Sequence, residues 1–153
     1  MPKSDFTLRS SSNMSILADG GLIPTRFLTL LAHLVVLIIL IWSREENVHA
    51  CMPLEYSVED FKTKDTRLLI GLCTAVALIV VELFGFLSGL SMFITSVSAV
   101  SSFCHGLGSI LLSMAVVDSW DCNMFWWVFA ATSITPAIVE IIATCMLVIL
   151  HNA

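Results

Sequence analysis

The stretch Leu68 to Gly89, LLIGLCTAVALIVVELFGFLSG, decides the fold. Glu82 is its single Asp, Glu, Lys or Arg. As a helix rising 1.5 Å per residue it would be about 33 Å long, enough to cross ~30 Å of hydrocarbon. It is too continuously apolar for the alternating strands of a membrane barrel, and an open sheet would leave its edge groups unpaired in lipid. It reads as a transmembrane helix.

Towards the N-terminus, Ser43 to Arg67 (SREENVHACMPLEYSVEDFKTKDTR) holds most of the charge and includes Pro53, so it belongs in water or at the interface. Before it, Phe27 to Trp42 (FLTLLAHLVVLIILIW) is free of Asp, Glu, Lys and Arg, and with Leu22 to Arg26 it reaches spanning length. Pro24 suits the first turn of that helix, and Arg26 can snorkel to the headgroups. Residues 1–21 are Ser-rich and polar, and are expected to form a flexible tail rather than a cleaved signal peptide.

Towards the C-terminus, the brief connection LSMFIT leads into Ser96 to Val117, an apolar run richer in Ser and Gly. The polar break DSWDCN, residues 118–123, then leads into Met124 to Leu150, which carries Pro136 and Glu140, and residues 151–153 form a short end. The sequence therefore predicts an all-α membrane protein. It is a four-transmembrane-helix bundle, with spans at about 22–42, 68–89, 96–117 and 124–150. Connections are short, apart from one longer polar loop between the first and second helices.

Composition agrees. Of 153 residues, 58% are hydrophobic and 12% charged, where a soluble domain carries about 25% charged residues. A net charge of −5 with seven Lys and Arg gives a nucleic-acid surface no electrostatic footing. Five cysteines without a CxxC pair point to neither zinc nor redox chemistry. There is no phosphate-cradling Gly loop, HExxH or nucleotide fingerprint, and the aqueous segments are short, so no enzyme activity, cofactor or metal is assigned.

Four spans place both termini on one side and the first and third loops on the other. Basic residues divide too evenly for the positive-inside rule: Lys3, Arg9 and Arg26 stand against Arg44, Lys62, Lys64 and Arg67. Cys51 and Cys122 fall in the two loops that share a side. A bridge between them requires the oxidising, non-cytosolic face, the alternative being two free thiols. Trp42, Trp120, Trp126 and Trp127 gather at the same side as an aromatic belt. These cues favour cytosolic termini, against the sequon Asn13-Met14-Ser15 in the tail.

Ionisable groups inside a bilayer are costly, so His33, Glu82, His105 and Glu140 each require an account. Each lies within about a turn of the middle of its span, which places them in one layer near the midplane. Helical spacing gives that layer a direction. Glu82, Gly85 and Gly89 share a face, with Gly85 and Gly89 as a GxxxG pair; Ser98, Ser102, His105 and Ser109 share another. Ser133, Pro136, Ala137, Glu140 and Thr144 make a third face, and Thr29, Ala32 and His33 a fourth. The expected result is a bundle with a polar centre in which the carboxyl groups are protonated or hydrogen-bonded to the histidines as interhelical glue. The competing reading is a small proton or cation transporter or channel subunit using the same Glu and His residues. Pro136 should kink the fourth span by freeing the Thr132 carbonyl, with Thr132 or Ser133 available to satisfy it. Cys73, Cys104 and Cys145 behave as small apolar residues.

Several blocks resemble the transmembrane protein 107 family of small ciliary tetraspans. They are PTRFLTLLAHLVV (24–36), Trp42-Ser43-Arg44, Ala50-Cys51-Met52-Pro53-Leu54, Val81-Glu82-Leu83 with FLSGLSMF (86–93), His105, Trp120-Asp121-Cys122, and Pro136-Ala137 with Glu140. The resemblance runs from about residue 21 to residue 150. It implies a four-span protein of the ciliary transition zone, with cytosolic termini, in the Meckel syndrome module. Such proteins recruit or retain other transition-zone membrane and membrane-associated proteins and so control ciliary membrane composition, with effects on cilium assembly and Hedgehog signalling. The chain departs from the family pattern in its Ser-rich start, Met1 to Asn13, and in lacking a basic tail after the fourth span.

Overall fold

The computed structural model describes residues 3–89, 91–92, 94–118 and 120–152, and the side chains of those between 20 and 150. Among the described residues there is no strand. The helices are α1 Lys3–Trp42, α2 Arg44–Cys51, α3 Val58–Leu87, α4 Thr95–Val117, α5 Met124–Phe129 and α6 Thr135–Asn152, with a π-helical turn, Ala130–Ile134, joining the last two. Among the described residues four helical stretches are long and apolar enough to cross a membrane: Gly20–Trp42, Val58–Leu87, Thr95–Val117 and Met124–Leu150.

The ends of these helices differ from the sequence expectation in physically legible ways. Residues 3–21, expected as a tail, continue α1 as helix, and Pro24 lies inside α1 rather than in its first turn. An unbroken helix satisfies its own backbone groups, and Pro24 interrupts this only by its missing N–H. The polar loop after α1 is itself largely helical. α2 carries Glu45 and Glu46 in its first turn, where the helix dipole favours acid, and it buries Val48. α3 starts ten residues before its apolar run because Ser57 caps it: the Ser57 hydroxyl accepts from the Asp60 N–H at 3.1 Å. Arg44 pairs with Asp65 at 2.8 Å, which ties the start of α2 to α3. Cys51 and Cys122 are joined in a disulfide with Cα atoms 5.6 Å apart, so the first and third loops are linked covalently.

At the other end of α3 the GxxxG reading fails at Gly89. The helix stops at Leu87, and Gly89 takes φ +80°, the left-handed conformation that ends helices. Its N–H donates to the Phe86 carbonyl at 3.1 Å, and a Cβ there would meet nothing within 4 Å. Gly89 therefore serves the turn, not helix packing.

The expected distortion at Pro136 takes the form of the π-helical turn just before it. The wider turn relieves the clash between the proline ring and the preceding backbone. The Thr135 N–H reaches back to the Ala130 carbonyl, and its hydroxyl donates to the same oxygen at 3.1 Å. The Thr132 hydroxyl bonds the Val128 carbonyl at 2.8 Å rather than serving the carbonyl that Pro136 frees.

An apolar cluster occupies the half of the bundle nearer the disulfide-linked loops. Leu37 and Leu40 of α1, Leu72 and Ala75 of α3, Leu112 of α4 and Val128 of α5 are buried in it, and Leu30 and Ile79 extend it to the depth of Arg26 and Glu82. Dispersion and close fit hold it, because lipid gives apolar side chains no hydrophobic reason to leave it. Large apolar side chains such as Ile38, Val81, Phe84 and Ile141 face outward.

Candidate functional site: a buried charged network across the spans

The other half of the bundle, towards the α1 start and the α3–α4 connection, is built around Arg26. One face of α1 carries Arg26, Thr29 and His33 at i, i+3 and i+7. Arg26 is fully buried, so it does not snorkel to the headgroups. The reason is that the bundle supplies every partner that water would otherwise provide. Nη2 donates to Glu82 Oε1 at 3.3 Å and to Glu140 Oε2 at 2.7 Å. Nη1 donates to the Ser91 hydroxyl at 3.2 Å, and Nε to the Ser101 hydroxyl at 3.2 Å. The guanidinium carbon stands 5.3 Å from the centre of the Phe86 ring, a cation–π contact.

From Glu82 the network continues inward. Its Oε1 also accepts from the Ser101 hydroxyl. Its Oε2 lies 2.8 Å from His105 Nε2, and His105 Nδ1 lies 2.8 Å from His33 Nδ1. If His105 donates through Nε2 to the carboxylate, its Nδ1 accepts from His33, and His33 Nε2 is left bare. That nitrogen has no partner among the described residues. The chain Glu140–Arg26–Glu82–His105–His33 thus takes side chains from α1, α3, α4 and α6. One guanidinium faces two carboxyl groups, so the cluster is electroneutral only when the carboxyl and imidazole chain holds one further proton.

His33, Glu82, His105 and Glu140 are all buried and come together, and Glu82 meets His105 in the expected carboxyl–imidazole pairing, but the other two pair differently. Glu140 meets Arg26 rather than a histidine, and His33 meets His105 rather than a carboxyl group. The small-residue positions divide. Gly85 packs against Glu140, where a Cβ would come within 2.6 Å of its Oε1. Ser98, Ser102, Ser133 and Ala137 are buried. The Ser102 hydroxyl bonds the Ser98 carbonyl, and the Ser109 hydroxyl the His105 carbonyl, so both serve their own helix rather than a neighbour. The hydroxyls of Ser98 and Ser133 have no partner among the described residues.

Sequence reasoning missed Arg26, Ser91, Ser101 and Gly108. The helical spacing of Arg26 to His33 was a usable signal, as was Ser101 one turn before His105. Gly108 had none, yet a Cβ there would stand 2.8 Å from His33 Cε1 and 2.9 Å from Thr132 Cβ. It is the closest glycine approach to the imidazole pair, and it lets α1, α4 and the π-helical turn meet.

The geometry also limits the chemistry. A tetrahedral metal held by two imidazoles lies about 2.0–2.1 Å from each nitrogen, hence roughly 3.3 Å between them. The 2.8 Å separation of the two Nδ1 atoms leaves room for a hydrogen bond only. Among the described residues no three His, Cys, Asp or Glu side chains converge as a metal site.

Comparison with known proteins places this arrangement in a family. No solved structure matches the chain. Transmembrane protein 107 of Mus musculus is 48% identical over 121 residues, covering 79% of this chain and 86% of that protein. Transmembrane protein 107 of Homo sapiens is 45% identical over the same shares of the two chains, and that of Danio rerio 44% identical over 79% of this chain and 90% of its own. The family model TMEM107, described as a transmembrane protein, matches residues 22–144, which reaches into all four spans and takes in Arg26, His33, Glu82, His105 and Glu140. The chain is a multi-pass membrane protein that belongs to the transmembrane protein 107 family.

Proposed function

We propose that the protein is a non-enzymatic membrane scaffold of the ciliary transition zone. In the Meckel syndrome module it recruits or retains other transition-zone membrane proteins, and so controls ciliary membrane composition and supports cilium assembly and Hedgehog signalling. Family membership supports the setting. The observation that carries the mechanism is the direction of the polar groups: the charged side chains within the spans turn inward and pair with one another, while the outer faces are Leu, Ile, Val and Phe. Such a bundle can act by lateral contact with other membrane helices. The disulfide between the first and third loops supports placing both loops on the oxidising face and both termini in the cytosol.

The hydrogen-bonded row Glu82–His105–His33 favours a second reading, a proton or cation path. The apolar centre of Leu37, Leu72, Ala75, Leu112 and Val128 weighs against it, because a charge leaving His33 towards the loops would have to pass this hydrocarbon layer. Imaging of tagged protein against basal-body and axoneme markers, followed by proximity labelling, tests the scaffold reading. Transition-zone signal with transition-zone neighbours is the expected result, and reconstituted wild-type protein should carry no proton flux that depends on Glu82 and Glu140. Diffuse membrane signal without such neighbours, or proton flux in reconstituted vesicles that vanishes with Gln at positions 82 and 140, would refute the scaffold.

A further inference from the structure

A second polar feature lies apart from the Arg26 network, where α2, α3 and the start of α5 meet. It is a cavity of about 70 Å³, several times what one water needs. Lys64 and Arg67 of α3 line it with Asn123 and Trp126, over Val48 and Leu68 and beside the disulfide sulfur of Cys122. Its depth follows from the sequence. Arg67 is the last charged residue before the apolar run that opens at Leu68, and Trp126 stands near the start of the fourth span. The cavity therefore sits where water gives way to hydrocarbon, the depth that Trp favours.

Its donors are selective. Lys64 and Arg67 are one turn apart on α3, and among the described residues neither makes an ion pair or hydrogen bond. The carboxylate nearest them in sequence, Asp65, is taken by Arg44 at 2.8 Å. Among the described residues no carboxylate lines the cavity, and its polar side chains carry an ammonium, a guanidinium, an amide and an indole N–H. Two cations with neutral donors at an interface match a phosphate oxyanion. The space is large enough for one phosphate group. Ile70, 60% exposed, and Trp127, 76% exposed, offer chains an apolar path along the neighbouring helix surfaces.

We propose that this cavity binds the phosphodiester of a membrane phospholipid in the loop-side leaflet, with Lys64 and Arg67 as its principal ligands. The proposal is independent of the scaffold role. Native mass spectrometry of the full chain released from phosphatidylcholine nanodiscs tests it. The wild type and the control Lys62→Ala, which lies outside the cavity lining, should retain one phospholipid. Lys64→Ala/Arg67→Ala should retain it about tenfold less, the loss of roughly one charge-assisted hydrogen bond, while the exchange Lys64→Arg/Arg67→Lys should restore most of it. An intact Cys51–Cys122 bridge and an unchanged melting temperature establish that the double variant is folded. Equal retention in the folded double variant overturns the proposal. So does equal retention of diacylglycerol, which has the chains without the phosphate, and so does binding of inorganic phosphate that displaces the lipid at millimolar concentration, which would mark a free-anion site.

Discussion

Arg26 and Glu140 are 114 residues apart in the chain and meet at 2.7 Å inside the bundle, which joins the first span to the last. Their contact explains how a helix can carry a guanidinium within a bilayer. Two carboxylates, two serines and a phenyl ring replace the water and headgroups it would otherwise seek. Burying such a cluster gains little net stability over a well-packed apolar core. Breaking it leaves an uncompensated charge in hydrocarbon, and that is costly.

Arg26→Met is therefore expected to lower the unfolding free energy by about 3–5 kcal/mol, since it leaves Glu82 and Glu140 facing each other. Arg44→Met, which removes the partly exposed pair with Asp65, should cost about 1 kcal/mol or less. Denaturant titration of both variants in bicelles measures the contrast, and equal losses would contradict the assignment of Arg26 to the core.

Two glycines of α4 give a controlled pair. Gly108→Ala places a methyl 2.8 Å from His33 Cε1 and 2.9 Å from Thr132, and should cost about 1–3 kcal/mol by overpacking. At Gly106 the nearest neighbour would be Thr29 Cγ2 at 3.6 Å, an ordinary contact, so Gly106→Ala should stay within about 1 kcal/mol of the wild type. Thermal unfolding of the two variants side by side decides it; a Gly108→Ala variant as stable as the wild type would mean that α1 and α4 do not approach as described.

The Cys51–Cys122 bridge spans 71 residues of chain and should contribute about 2–4 kcal/mol. Cys51→Ser is expected to abolish the mobility difference between reduced and non-reduced gels. In intact cells, a membrane-impermeant thiol reagent should label Cys122 in this variant from outside. Labelling only after the membrane is opened would reverse the topology.

How much of this was legible beforehand follows from what each signal encodes. Long apolar runs report their solvent directly, so the four spans stood out from Leu68 to Gly89 outward. Helix ends were harder. Ser57 caps a helix that starts ten residues before hydrocarbon begins, and Gly89 looks like a packing glycine until its φ is known. The polar layer was visible as four residues at one depth, but its centre was not. Arg26 near the end of a span has a cheap alternative at the headgroups, and only the three-dimensional meeting of Glu82 and Glu140 removes that alternative. Gly108 was invisible because its role lies in what approaches it.

The most direct test of the central claim, that one charged cluster locks the spans together, is a thermodynamic cycle. Unfolding free energies would be compared for Arg26→Leu, for Glu82→Leu/Glu140→Leu, and for the three substitutions combined. The cluster predicts that the triple variant is more stable than the sum of the partial losses by about 1 kcal/mol or more, because no unpaired charge remains. Losses that add to within about 0.5 kcal/mol would show that Arg26 and the two carboxylates do not meet.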